Sequence, residues 1–338
     1  MGPHPAVAAV RLGVRQALAR HARGGQPVLV ACSGGADSVA LAAAVAFEVQ
    51  RSARPAGFVT VDHGLQEGSE QRARGVAVLG YELGFDPVEV VAVKVGTVGG
   101  PEGAARDARY AALSAATDSI GPDGEDALVL LGHTADDQAE TVLLGLGRGS
   151  GIASLAGMRP LNGAYLRPFL GLRRADTRAA CQALGLAVWD DPHNSDPRYR
   201  RVRVRSEVLP LLEDVLGGGV TEALARTAAQ LQEAEDALRR AAADLLGQQP
   251  DAGLTVAIIE AAPAAVRSRA IMSWAQSHGV RGLTAVHLAE LNGLVTRWRG
   301  QGPIDLPDGF RVTRTSGTLK VIAPVTYISA GSPPKNQE

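Results

Sequence analysis

The stretch Val28-Leu-Val-Ala-Cys-Ser33-Gly34-Gly35-Ala36-Asp37-Ser38-Val-Ala-Leu41 decides the fold. A short apolar run ends in a hydroxyl, two glycines, a carboxylate and a second hydroxyl, and an Ala/Val-rich segment follows without a break. That order reads as a strand, an anion-binding turn and a helix N-terminus. Paired glycines let the backbone turn tightly and bring its N–H groups close to an anion. The helix adds unpaired N–H groups and the positive end of its dipole. Ser33 and Ser38 supply further donors. The lysine of a GxxxxGK[ST] loop is missing, so this is not a Walker A sequence. A plain glycine turn capped by Asp37 or Ser38 is the competing reading, and the rest of the chain decides between them.

Outward from this loop, apolar runs at 28–32, 58–62, 88–93 and 128–131 alternate with helical patterns near 37–50, 69–84 and 102–117. An amphipathic helix over 7–21 precedes them. The alternation predicts an α/β fold, a parallel sheet with helices on both faces. Ligands in such folds sit at the carboxyl ends of the strands. Ser33 follows the first strand, Asp62-His63 the second, and His133 the fourth.

A helix from about 136 to 146 comes next, then a glycine-rich loop over 145–151. That loop follows a helix instead of a strand, which argues against a dinucleotide fingerprint. Residues 152–198 read as irregular with one helix near 173–184, and a basic helix covers 199–214. Gly217-Gly-Gly219 is the clearest break. It divides a domain over 1–216 from a smaller, mainly helical one over 217–325. Helices are expected near 221–247, 263–278 and 284–297. Short strands over 304–323 turn at Pro307-Asp-Gly309 and Ser316-Gly317. A disordered tail is expected over 326–338.

At 338 residues two domains fit. Aromatics are only 4%, so the core must be mostly Ala, Val and Leu. The net charge of −1 shows no global basic field, and Lys94, Lys320 and Lys335 are the only lysines. Cys32 and Cys181 are the only cysteines, which excludes a disulfide framework and a CxxC metal site. No apolar run reaches membrane-spanning length and no signal-peptide pattern stands at the N-terminus, so the expected location is cytoplasmic.

Three constellations carry chemistry. Gly132-His133-Thr-Ala-Asp136-Asp137-Gln-Ala-Glu140-Thr141 places His133, Asp137 and Glu140 at i, i+4 and i+7, on one helix face. Acids suit a helix N-terminus for electrostatic reasons alone, but that does not explain the histidine. Carboxylates there can hold Mg²⁺, bind an ammonium or accept a proton. Glu102, Arg106 and Arg109 share a second helix face: a solvated salt-bridge face, or arginines that neutralise phosphate beside an ATP site. Third, five of the eight residues over 198–205 are arginine, and ten arginines face four acids between Arg159 and Arg205. Arginine forks suit phosphate, and Tyr199 could stack on a base.

Together these motifs resemble the tRNA(Ile)-lysidine synthetases, a branch of the N-type ATP pyrophosphatases (PP-loop proteins), over roughly residues 27–215. Ser33 through Ser38 resembles the phosphate loop, Val61-Asp62-His63-Gly64-Leu65 the VDHGL element, and Glu102 through Tyr110 the ExxARxxRY helix. His133 through Thr141 resembles the diagnostic HxxDDQxET element. Arg148 through Gly151, Arg167-Pro168, Asp191 through Ser195 and Leu209-Pro210 also match. Gln66 departs from a usual arginine, Gly103 from a usual alanine, and Arg201-Val202-Arg203 from a usual Arg-Asn-Arg.

The resemblance implies an enzyme, a ligase. ATP adenylates the wobble cytidine of a CAU-anticodon isoleucine tRNA, and free L-lysine then displaces AMP. It implies ATP contacts at Ser33, Gly34, Gly35, Ala36, Asp37, Ser38, Asp62, His63, Arg106 and Gly132, with Mg²⁺ at Asp37. Catalytic roles would fall to Asp37, Arg109, His133, Asp136, Asp137 and Glu140, with Asp137 and Glu140 meeting the lysine. His133 would position the nucleotide or transfer a proton. Arg198, Arg201, Arg203 and Arg205 would bind tRNA, with 217–325 gripping the rest of it. A homodimer is also implied, as is a short form without an extra C-terminal domain. A sulfur-inserting tRNA enzyme needs cysteines that this chain lacks in position. An ammonia-using synthetase needs a glutaminase. A non-catalytic ATP- or RNA-binding module would not need both Asp37 and the full 133–141 cluster.

Overall fold

A computed structural model describes residues 2–52, 54–64, 68–93, 96, 100–120, 127–149, 151–191, 196–248 and 253–324. Contacts divide the chain into two units, 1–232 and 233–338.

The first unit is built on a six-stranded sheet of order β3-β2-β1-β4-β6-β5. Its strands are β1 (Val28–Ala31), β2 (Ala56–Asp62), β3 (Val88–Ala92), β4 (Leu128–Leu130), β5 (Leu161–Asn162) and β6 (Tyr165–Leu166). All neighbours run parallel except β5 against β6. The apolar runs alternate faces at a period of two. Val28, Val30, Phe58, Leu128 and Leu130 enter one core, with α1 (Pro5–His21), α2 (Ala36–Ser52) and α7 (Arg174–Ala183). Leu29, Val59 and Val129 enter the other, with Leu113 and Ala116 of α4 (Gly100–Ala116). Helix α1 presents Val7, Val10, Val14 and Leu18 at helical spacing, and α2 is apolar on most of its circumference. Helix α3 (Ser69–Glu82) connects β2 to β3. The strand order reverses between β1 and β4, the switch point at which open α/β sheets bind ligands.

Four sequence expectations need correction. Besides the expected helix, now α7, residues 152–191 are less irregular than read: they hold most of α6 (Gly151–Leu155) and the β5–β6 hairpin. Gly145 and Gly147 are not loop residues, because α5 (Ala135–Arg148) runs through both. A Cβ at Gly145 would sit 2.7 Å from the Ser154 carbonyl oxygen, so the glycine lets α6 pack close. The basic helix is two pieces, α8 (Arg200–Arg203) and α9 (Leu209–Val215), joined by a π-turn over Val204–Val208. Pro210 offers no N–H to the preceding turn, and a widened turn accommodates that loss.

Helix α10 (Val220–Gly247) contains the division between the units. The sequence reading puts the boundary at Gly217–Gly219. The first half of α10 instead goes with the first unit, where Gln232 Nε2 donates to the carbonyls of Ala156 and Met158, at 2.6 and 2.9 Å.

The second unit packs α11 (Val256–Glu260), α12 (Ala264–Ser277) and α13 (Ala285–Thr296) on a four-stranded antiparallel sheet. The sheet order is β7-β10-β9-β8, from Leu254–Thr255, Thr318–Ile322, Arg311–Thr315 and Ile304–Asp305. Ile259, Ile271, Trp274, Leu291, Leu294, Val312 and Leu319 form its core. Ser316 and Gly317, both at positive φ, make the β9–β10 hairpin turn. The expected tail, Leu65-Gln66, Ser150, residues 192–195 and the Glu102 side chain lie outside the described residues.

Candidate active site

The phosphate loop is fastened from within. Ser38 is buried. Its hydroxyl donates to the Gly35 carbonyl at 2.9 Å and accepts from the Ser33 N–H at 3.1 Å. Ser38 therefore shapes the loop, whereas Ser33 stays exposed at its mouth. Gly34 adopts φ +85°, and its carbonyl accepts from the Trp189 N–H at 2.9 Å. Gly132 completes the junction. A Cβ there would lie 2.8 Å from the Asp37 carbonyl oxygen, so only glycine lets the β4–α5 connection touch the first turn of α2. The loop and the 133–141 element thus share one wall at the switch point.

Around that wall, four acids meet four arginines. Asp37 accepts from Thr177 Oγ1 and, at 3.3 Å, from Arg174 Nε. Asp136 takes Arg173 Nε at 3.2 Å and the Arg174 N–H at 2.8 Å. Asp137 divides its oxygens. Oδ2 accepts from the Thr134 N–H at 2.9 Å, fixing the start of α5, and Oδ1 accepts from Arg174 Nη2 at 3.0 Å. Glu140, wholly buried, receives Arg201 Nε and Arg205 Nε, each at 2.7 Å. Burial pushes the Asp37 carboxyl up despite Thr177 and Arg174. Burial also acts to raise Asp137, but Arg174, Arg201 and His133 outweigh it and hold that carboxyl below its ordinary value.

Arg201 and Arg205 were expected on the tRNA side, yet both side chains turn inward to Glu140. The cause is charge complementarity: a buried carboxylate must be paired, and the arginine helix lies across it. Arg203 and Arg198 do face solvent, where they pair with Glu207 and Asp196. Arg173, Arg174 and Thr177 were not anticipated. Their signal was a pair of arginines at a helix N-terminus, where the dipole disfavours cations unless acids lie close. Gln138 is structural: its amide clasps Met158 through two hydrogen bonds of 2.9 and 2.7 Å.

His133 sits just before the cap of α5, not on the helix. Burial lowers its imidazole to about 3, against the pull of Asp137. His63 is also lowered, by burial and then by Arg109. Arg106 is exposed and lies over the Tyr110 ring at 5.0 Å, with Arg109 at 5.6 Å. Asp62 accepts from the Gly64 N–H at 2.9 Å, and this bond leads in holding it below the ordinary carboxylate range. A cleft of about 120 Å³ opens between Ser33, Val61, Asp62, His63, Val76 and Trp189. Arg72 stacks over Trp189 at 4.8 Å. Both thiols are buried, and burial pushes Cys32 up and Cys181 to about 11, so neither is a ready thiolate. No helix among the described residues is long and apolar enough to cross a membrane.

A switch-point loop with no Walker lysine, walled by an acid cluster, defines an ATP-using PP-loop protein, and residues 10–212 match the PP-loop domain family. Residues 254–319 match the TilS substrate binding domain. The chain is 54% identical to a tRNA(Ile)-lysidine synthase of Thermobifida fusca, over 95% of this chain and 99% of that one. It is 51% identical to one of Streptomyces coelicolor, with the same coverage. It belongs to the tRNA(Ile)-lysidine synthase family. Among solved structures, the U34-tRNA thiolase NcsA from Methanococcus maripaludis is similar in fold. Its TM-score is 0.56 at 17% identity, over 68% of this chain and 80% of that one.

Proposed function

We infer that the protein is a tRNA(Ile)-lysidine synthase at work in the cytoplasm. It joins L-lysine to carbon 2 of the wobble cytidine in CAU-anticodon isoleucine tRNA and changes the codon read from AUG to AUA. The observation that carries this is the Gly132 contact, which sets an acid cluster against a phosphate loop. In the first step the cytidine oxygen attacks the α-phosphorus of ATP, and the bond to the β-phosphate breaks to release pyrophosphate. In the second, the lysine ε-amine attacks carbon 2, the C–O bond breaks, AMP leaves and the amine loses a proton.

The loop over 33–38 holds the departing pyrophosphate, and the cleft beside Val61 takes the adenine. One carboxylate next to nucleotide phosphates is a donor set that Mg²⁺ commonly uses, and Asp37 fits it. The ion would neutralise phosphate charge there. Asp137 and Glu140 are the acids for the lysine ammonium. Both face guanidinia, so the incoming ammonium exchanges for a like charge. A group titrating near 3 is a weak base, which favours positioning over proton transfer for His133.

Sustained pyrophosphate release is expected to need both lysine and the CAU-anticodon isoleucine tRNA, with lysine entering the RNA. Release driven by a sulfur donor, or lysine entering tRNA regardless of anticodon, would overturn the reading.

The exposed Arg198, Arg200 and Arg203 are the arginines of this segment suited to tRNA phosphates. In Arg203→Ala, the slope of log affinity against log salt should flatten by about 1, one phosphate contact. Arg201→Ala should leave that slope unchanged while lowering turnover. Equal slope changes in both variants would restore the outward role of Arg201.

A further inference from the structure

Two arginines at this site stand outside the acid cage. Arg167 follows Leu166 at the carboxyl end of β6 and is only 6% exposed. The Leu166 carbonyl accepts from the Leu131 N–H at 2.9 Å, so Arg167 lies alongside Gly132 and His133. Its Nη1 donates to the Arg159 carbonyl at 3.0 Å, and its Nε is enclosed without a partner. Arg109 reaches the same place from α4, again with an enclosed, unpartnered Nε. Tyr110 joins the two elements: its carbonyl accepts from Tyr165 Oη at 3.2 Å, and the two rings meet edge to face at 4.8 Å. Both guanidinia act on His133 and on the Tyr110 phenol.

Among the described residues, neither Arg109 nor Arg167 has a carboxylate at ion-pair distance. The nearby acids are ion-paired with Arg173, Arg174, Arg201 and Arg205. With no counter-ion among the described residues, the buried Arg167 and half-buried Arg109 are unfavourably placed unless an anion completes them. Forked guanidinia match the oxygens of phosphate.

We propose that Arg109 and Arg167 form an enclosed two-guanidinium receptor for a phosphate group at the reaction centre. This deepens the adenylating-ligase reading and rests on it. The phosphate comes from one of two sources, the α-phosphate that becomes the adenylate or the RNA backbone beside the target cytidine.

The test uses the full chain with Arg109→Met, Arg167→Met and the charge-keeping Arg167→Lys. Melting is followed with no ligand, with adenosine and with AMP, and tRNA affinity is measured by filter binding. Without ligand, Arg109→Met is expected to melt at or above the wild-type temperature, because an unpaired cation is gone. With the α-phosphate as source, the preference for AMP over adenosine, on the order of tenfold or more in wild type, collapses in both methionine variants. Arg167→Lys keeps part of it, and tRNA affinity is unchanged. With the RNA backbone as source, the AMP preference survives and tRNA affinity drops at least tenfold. Lower melting in all three variants, with both ligands bound as in wild type, would make these arginines structural and overturn the proposal. A wild-type protein that shows the arginine-dependent AMP preference yet modifies no tRNA would sink the ligase reading and leave the receptor standing.

Discussion

Glu140→Ala is expected to abolish turnover and to destabilise the first unit by about 3 kcal/mol, at the lower end for breaking a buried ion pair. The carboxylate is wholly buried and receives two guanidinia at 2.7 Å, while those guanidinia remain 27% and 31% exposed. Water can therefore reach the arginines once their partner is gone, which moderates the penalty. For a unit of this size the loss corresponds to a fall in melting temperature of roughly 6–12 °C. Glu140→Gln keeps the shape and part of the hydrogen bonding, so it should fall less while remaining as inactive. Thermal unfolding of the three proteins side by side decides the matter. An unaltered melting temperature in Glu140→Ala would mean that the arginine cage contributes nothing to the fold.

Gly132→Ala should lower the rate of pyrophosphate release about a hundredfold while leaving tRNA affinity within twofold. The added methyl would run into the Asp37–Ser38 peptide group, at 2.8, 2.9 and 3.1 Å from Asp37 O, Asp37 C and Ser38 N. None of these atoms can swing aside as a side chain would. The connection between β4 and α5 must retreat from the phosphate loop, and small displacements at a reacting centre reduce rates by about this factor. Overpacking adds roughly 1–3 kcal/mol of instability. Gly147→Ala is the control: among the described residues no atom beyond its own helix backbone lies within 4 Å of its Cβ position, and alanine favours the helix. A wild-type rate in Gly132→Ala would show that the close approach is not needed for chemistry.

Much of this architecture is legible along the chain. The strands β1, β2 and β4 announce themselves as apolar runs because each is covered on both faces, and the partly exposed edge strand β3 is apolar as well. The phosphate loop and the acid cluster follow because both fall where strands end. The β5–β6 hairpin was not legible: each strand is two residues long, too short for any periodicity, and is extended because β4 offers an edge. Helical Gly145 was hidden because glycine ordinarily argues against a helix, while its small size is what α6 requires. The arginines over 198–205 advertise charge but not direction. Whether each looks outward or inward depends on a carboxylate some sixty residues away.

The π-turn over Val204–Val208 has a geometric meaning for that direction. Each residue of an α-helix advances the chain by about 100° around its axis. On one side of the wide turn, Arg201 points at Glu140. On the other, Leu209 is buried and anchors α9. The wide turn sets the angular phase between the acid-lined wall and an apolar foothold. Losing one residue there would wind both halves out of step, so the length of this segment is part of the site as much as any side chain it carries.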